Sequence, residues 1–142
     1  MENTQSSSRK AQCQCGQLTA EVSGDAEAMT VLCHCVDCQR RSGSPFGTIA
    51  YYPEGSVSIA GEAREFTRLT DAGSSFTNAF CPDCGSSVYA RAGKYPAILG
   101  VMVGAFADPG FPAPARSVFE QSRLAWTQLP DTIPRHPRGR DS

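Results

Sequence analysis

At 142 residues, with 40% hydrophobic and 19% charged residues, the chain has the size and composition of one globular domain, able to bury roughly two thirds of its unfolded surface. A formal net charge of −1 excludes binding to nucleic acid or anionic membranes through overall charge. No apolar run reaches the ~20 residues of a membrane span and no secretory pattern opens the chain, so a cytoplasmic protein without nucleic-acid or membrane partners is expected; in that reducing setting seven cysteines point to metal before disulfides.

In chain order, residues 1–10 are polar and serine-rich and read as a disordered tail, with the folded domain over residues 11–133. Alternating or β-branched runs predict strands over Gln17–Val22, Met29–Leu32, Phe46–Tyr52, Ser56–Ala60, Glu65–Leu69, Ser75–Phe80, Ser86–Arg91, Ala97–Val103 and Ser117–Glu120. Pro53-Glu54-Gly55, Gly61-Glu62, Asp71-Ala72-Gly73, Ala92-Gly93-Lys94 and Asp108-Pro109-Gly110 supply the turns between them. Only Val36–Ser42 reads as helix, stopped by Gly43 at its C-terminal cap. Residues 134–142, rich in proline and arginine, read as a second disordered tail. The fold class is therefore mainly β and antiparallel, with one short helix.

The seven cysteines fall into three clusters: Cys13 and Cys15 before Gly16; Cys33, Cys35 and Cys38; and Cys81 and Cys84 before Gly85. A Cys-x-x-Cys followed by glycine curls the chain so that both sulfurs reach one ion at ~2.3 Å. Such a knuckle supplies two ligands and a closed zinc site needs four, so Cys13 and Cys15 are the matching pair for Cys81 and Cys84. Cys33, Cys35 and Cys38 then remain as three sulfurs within six residues. Three protein ligands with an open fourth position describe a catalytic metal site. Two alternatives stay open at this point: closure by His34 as a fourth ligand, and a set of free or redox-active thiols.

Arg40, Arg41, Ser42, Ser44 and Phe46 follow the last of these ligands directly and are the candidate substrate-binding residues. Guanidiniums there can offset an anionic cysteine cluster or clamp a carboxylate, although a solvated helix face and a Ser-Gly-Ser turn account for the same residues. Phe46 is either a core anchor or a pocket wall. Trp126 is expected to pack on the core, Asp108 to form a turn, and His136 to take no part. No serine-histidine-aspartate set, phosphate loop or carboxylate pair is visible, which leaves the chemistry to a metal.

The order of Cys13-Gln14-Cys15-Gly16, Cys33-His34-Cys35-Val36-Asp37-Cys38-Gln39-Arg40, the Ser42-Gly43-Ser44 turn, Phe80-Cys81-Pro82-Asp83-Cys84-Gly85-Ser86 and a late Ser122-Arg123…Trp126…Leu129-Pro130 segment resembles the glutathione-dependent formaldehyde-activating enzyme and centromere protein V family. The resemblance implies a zinc-pinned β-tent with two Zn²⁺ per chain. It makes Cys13, Cys15, Cys81 and Cys84 the structural site, and Cys33, Cys35 and Cys38 the ligands of a catalytic zinc. It also implies a carbon–sulfur lyase acting on a small thiol such as glutathione and a small carbonyl such as formaldehyde. A zinc-stabilised binding or scaffold module without catalysis is the alternative. Methionine sulfoxide reduction, which a related β-tent performs, would need a nucleophilic cysteine outside the metal sites, and all seven are used.

Overall fold

A computed structural model describes residues 8–24 and 28–142. Three short strands, β1 (Arg9–Gln12), β2 (Thr19–Val22) and, further on, β5 (Val57–Ala60), form one antiparallel sheet in the order β1-β2-β5. The other strands are β3 (Met29–Cys33), β4 (Gly47–Pro53), β6 (Arg64–Leu69), β7 (Ser75–Phe80), β8 (Ser87–Ala92), β9 (Ile98–Met102) and β10 (Arg116–Val118). They build a seven-stranded sheet in the order β10-β3-β4-β9-β8-β7-β6. All its pairings are antiparallel except β10 against β3, which is parallel. The mainly β, predominantly antiparallel expectation holds, with that one pair as the departure.

Alternation along the central strands decides what each face of the large sheet does. Ala50, Tyr52, Leu99, Val101, Tyr89 and Ala79 point inward and pack on Ala11, Ala20 and Val22 of the small sheet, with Leu18 between them. Each fully buried leucine or valine there is worth ~1.5–3 kcal/mol against exposure, so this layer carries the fold. The register puts Cys33, Val31, Ile49, Tyr51, Met102, Ala90 and Phe76 on the opposite, outer face. That face carries only a small cluster, Ile49, Phe76, Ala90 and Met102, and so has room for sites.

The single helix, α1 (Val36–Ser42), follows β3 at one corner of the outer face and has the predicted bounds. Cys35 caps its start by accepting from the Cys38 amide, and Gly43 ends it at φ 68°, where a side chain would be strained. Two other expectations are corrected. β1 starts at Arg9, inside the expected tail: Arg9–Gln12 pairs along β2, and residues 1–7 lie outside the described residues. Residues 134–142 hydrogen-bond back onto the 117–121 segment, through the Ser117 amide to Pro134, the His136 amide to Ser117 and the Phe119 amide to Arg138. The arginine and proline content hid this because the contacts are made by backbone, not by an apolar pattern.

Among the described residues no helix is long and apolar enough to cross a membrane. Trp126 is 70% exposed, against the expectation that it packs on the core. Asp108 forms its turn, accepting from the Gly110 amide at 2.9 Å, and also pairs with Arg9 at 2.8 Å.

Candidate metal centre

Cys13 and Cys15 lie in the turn between β1 and β2, and Cys81 and Cys84 in the turn between β7 and β8, so the first cluster ties the small sheet to the large one. The four sulfurs lie within 4.8 Å of one another, with Cys13 to Cys15 at 3.6 Å and Cys15 to Cys81 at 3.7 Å. A tetrahedral zinc with bonds of ~2.3 Å requires sulfur separations of ~3.8 Å, so the donor set fits the ion. Each knuckle closes on a glycine amide, Gly16 to the Cys13 carbonyl and Gly85 to that of Cys81. The Leu18 and Asp83 amides donate to the Cys13 and Cys81 sulfurs, both at 3.3 Å. Gln17 adds a brace that sequence reading missed: its side-chain amide donates to Cys81 Sγ at 3.0 Å and exchanges hydrogen bonds with both backbone groups of Glu62.

These donors favour thiolate, but the sulfurs oppose one another. The Ser86 hydroxyl and amide lead in holding Cys84 down at about 5. Cys81 is also lowered: burial opposes ionisation, but the Gln17 amide and neighbouring backbone donors outweigh it. Cys15, which the Gln17 amide pulls down, is nonetheless pushed up to about 12 by the Cys13 sulfur and desolvation. Four sulfurs this close ionise together only around a cation, which is the chemistry of a Cys₄ metal site.

The second cluster is built by one chain segment. Cys33 ends β3, Cys35 caps α1 and Cys38 sits in its first turn, and their three sulfurs lie within 4.8 Å of one another. Hydrogen bonds from Cys33 and Cys35, with the nearby Arg41 guanidinium, hold Cys38 down at about 3. Cys33 is pushed far up by Cys35 and Cys38 and by burial. Cys35 gains from Cys33 but is raised by Cys38 and desolvation. The three sulfurs thus oppose one another's ionisation, and the donor set suits a soft or borderline ion such as zinc. Both cysteine groups can hold a metal ion.

His34, between two of these cysteines, is fully buried and turned into the protein. Its Nε2 lies 3.0 Å from Ser117 Oγ and 3.2 Å from Glu120 Oε2, and the Ser117 hydroxyl donates to Glu120 at 2.6 Å. These partners assign the proton to Nε2. Burial lowers the imidazole's pKa despite the Glu120 charge. His34 and Ser117 are fully buried and Glu120 partly so, and the trio works as an anchor: the Val118 carbonyl accepts from the His34 amide, and Gln39 bridges the carbonyls of His34 and Ser122. Glu120 is held low, because burial is outweighed by the Ser117 hydroxyl and by His34, Arg135 and Arg123. Nothing in the sequence linked residues 117–123 to the cysteine loop, because the connection rests on the parallel β10–β3 pairing and on side-chain contacts between segments far apart in the chain.

Of the five expected substrate-binding residues, Arg41 is the one the fold directs at the cluster. It crosses over Gly47, where any side chain would collide with its Nη2, and both Nε and Nη2 are buried without a hydrogen-bond partner. On one side of it lies a cleft of about 730 Å³ that also includes Ser42, Phe46, Thr48 and Met102 and reaches Cys13 and Ser86 of the first cluster. On the other lies a cleft of about 310 Å³ with Arg40, Arg68 and Phe76. Arg68 stacks 5.0 Å from the Phe76 centroid and pairs with Asp37 at 3.2 Å.

Arg40 is exposed at the rim of the smaller cleft. Ser42 is occupied in the turn, its hydroxyl donating to the Phe46 carbonyl at 3.2 Å and accepting from the Ser44 amide at 3.1 Å. Phe46 is partly buried, with its ring edge-on to His34 at 5.8 Å, and serves as both anchor and wall. Tyr51 was not singled out from sequence, since a tyrosine in a strand normally reads as packing. Burial, followed by the charges of Cys38 and Cys33, pushes its phenol up to about 12.

Comparison with known proteins agrees with this geometry. The family model of the glutathione-dependent formaldehyde-activating enzyme matches residues 8–122. No curated protein sequence matches the chain. Among solved structures the fold is similar to that of a Rhodobacter sphaeroides protein solved as a structural-genomics target, at 22% identity and a TM-score of 0.50, covering 72% of this chain and 90% of that one. That likeness concerns the fold alone. The match of the family model over most of the chain places the protein in the glutathione-dependent formaldehyde-activating enzyme family.

Proposed function

We propose that the chain is a zinc-dependent carbon–sulfur lyase, joining a low-molecular-weight thiol such as glutathione to a small aldehyde such as formaldehyde and cleaving the product in reverse. The observation that carries this reading is the count of donors at the second cluster. Cys33, Cys35 and Cys38 converge, whereas His34 is committed to Ser117 and Glu120, and among the described residues no other histidine, cysteine or carboxylate joins the group. Zinc held by these three cysteines would supply an open position at which a thiol is kept as its anion and a carbonyl is polarised.

The chain's own residues do the rest. The unpartnered Nε and Nη2 of Arg41 suit a carboxylate of the thiol, with Arg40 at the rim and Phe46 as wall. Ser42 and Ser44 contribute by fixing the turn that carries Phe46. In the addition, the thiol sulfur forms a bond to the carbonyl carbon while the carbonyl electron pair moves to oxygen, which then needs a proton. Tyr51, on the same sheet face, is the protein group suited to donate it, its phenolate then regaining the proton that the thiol released.

The test is thiol-dependent turnover of formaldehyde above the spontaneous rate. Wild-type protein is expected to accelerate it, and Cys35→Ser to return it to the spontaneous rate while remaining folded with one zinc. A wild type that accelerates no thiol–aldehyde pair rejects the lyase and favours the non-catalytic module.

A further inference from the structure

The outer face of the large sheet also holds a cavity lined by no cysteine, of about 880 Å³. That lies within the ~300–1,000 Å³ of small-molecule sites. Its floor is apolar and is laid by adjacent strands, with Val31, Tyr51 and Ile98 at its centre, and the 94–97 turn and residues 139–142 form its walls. A greasy floor alone would indicate nothing about an occupant, but the charges around this one do.

Three cationic side chains, Lys94, Arg116 and Arg140, line the cavity against a single acidic side chain, Asp141. Arg116 projects from β10 in register with Val31, and its Nε is buried with no hydrogen-bond partner. Arg140 is exposed at the rim and donates to the Met29 thioether at 3.9 Å. Among the described residues neither guanidinium has a carboxylate within ion-pair distance, whereas Arg9, Arg68, Arg91 and Arg123 all do. Arg116 is partly buried over apolar surface, where a cation is costly until an anion joins it, and a planar guanidinium pairs best with a carboxylate.

We propose that this cavity binds an organic carboxylate with an extended apolar body, its head held by Arg116 and Arg140 and its chain lying along Val31, Tyr51 and Ile98. The proposal uses no cysteine; it shares Tyr51 with the lyase reading, but as a floor residue only, and its test reads binding and not turnover.

The experiment titrates the full, zinc-loaded chain with decanoate, decanol and acetate, followed by calorimetry and by amide shifts in NMR spectra. Decanoate is expected to bind and to move the amides of Val31, Ile98 and Arg116. Decanol, without the charged head, should bind ~10-fold more weakly or worse, and acetate, without the body, not measurably. Arg116→Gln should weaken decanoate by ~10-fold, and Ala92→Phe, which fills the floor, should abolish binding, with folding checked by circular dichroism. If Arg116→Gln does not fold, Arg140→Gln is expected to show the same loss. Equal binding of decanol and decanoate, undiminished binding in a folded arginine variant, or an Ala92→Phe effect confined to breaking a dimer of the chain overturns the proposal.

Discussion

Glu120 shows how a residue remote in sequence governs the cysteine loop. It accepts from Ser117 and lies 3.2 Å from the buried His34, and so braces the peptide between Cys33 and Cys35. Its carboxyl is held below its ordinary value of 4.5 in the fold. A lowered folded value means that the ionised form stabilises: the contribution is fully present above about pH 4.5 and is lost as pH falls through the lower folded value. Glu120→Gln is therefore expected to be less stable than wild type at pH 7, with the difference in denaturant midpoint shrinking below about pH 4.5. A difference that is constant from pH 7 to pH 4 would show that Glu120 acts by packing alone. At this scale the cysteines were legible from spacing, because knuckle geometry is local. Gln17, Tyr51 and Glu120 were not, because each acts through a contact across strands whose pairing the sequence does not display.

Among the elements, α1 was readable to the residue, since its glycine stop is a local signal, whereas the Cys35 cap is visible only in the fold. Gly43 holds φ at 68° and its amide donates to the Gln39 carbonyl at 2.8 Å. Gly43→Ala is expected to cost ~1 kcal/mol of stability from the left-handed backbone, as nothing lies within 4 Å to clash. Chemical denaturation measures this directly, and a neutral effect would mean that the helix end relaxes freely. The strands from β2 to β9 followed from alternation within a residue or two of their bounds. β1 escaped because its Arg-Lys-Ala-Gln run has one buried position; β10 was expected over Ser117–Glu120 and lies at Arg116–Val118, but its parallel pairing with the distant β3 was not legible. The 134–142 segment escaped for a related reason, as its carbonyls and amides, not its side chains, meet Ser117–Gln121.

For the whole molecule, the two cysteine groups do unlike work. The first joins turns from different sheets, β1–β2 with β7–β8, so an ion held there would add a long-range tie. The second belongs to one segment of β3 and α1 and is already anchored through His34 and Gln39, so the fold does not depend on it in the same way. Native mass spectrometry of wild type, Cys35→Ser and Cys84→Ser measures this difference most directly. Two zinc ions are expected in wild type and one in Cys35→Ser with its thermal transition largely kept, whereas Cys84→Ser should lose its first-site ion together with cooperative unfolding. A wild type that holds one zinc or none, or a Cys35→Ser that unfolds as Cys84→Ser does, would contradict the division into a closed structural site and an open one.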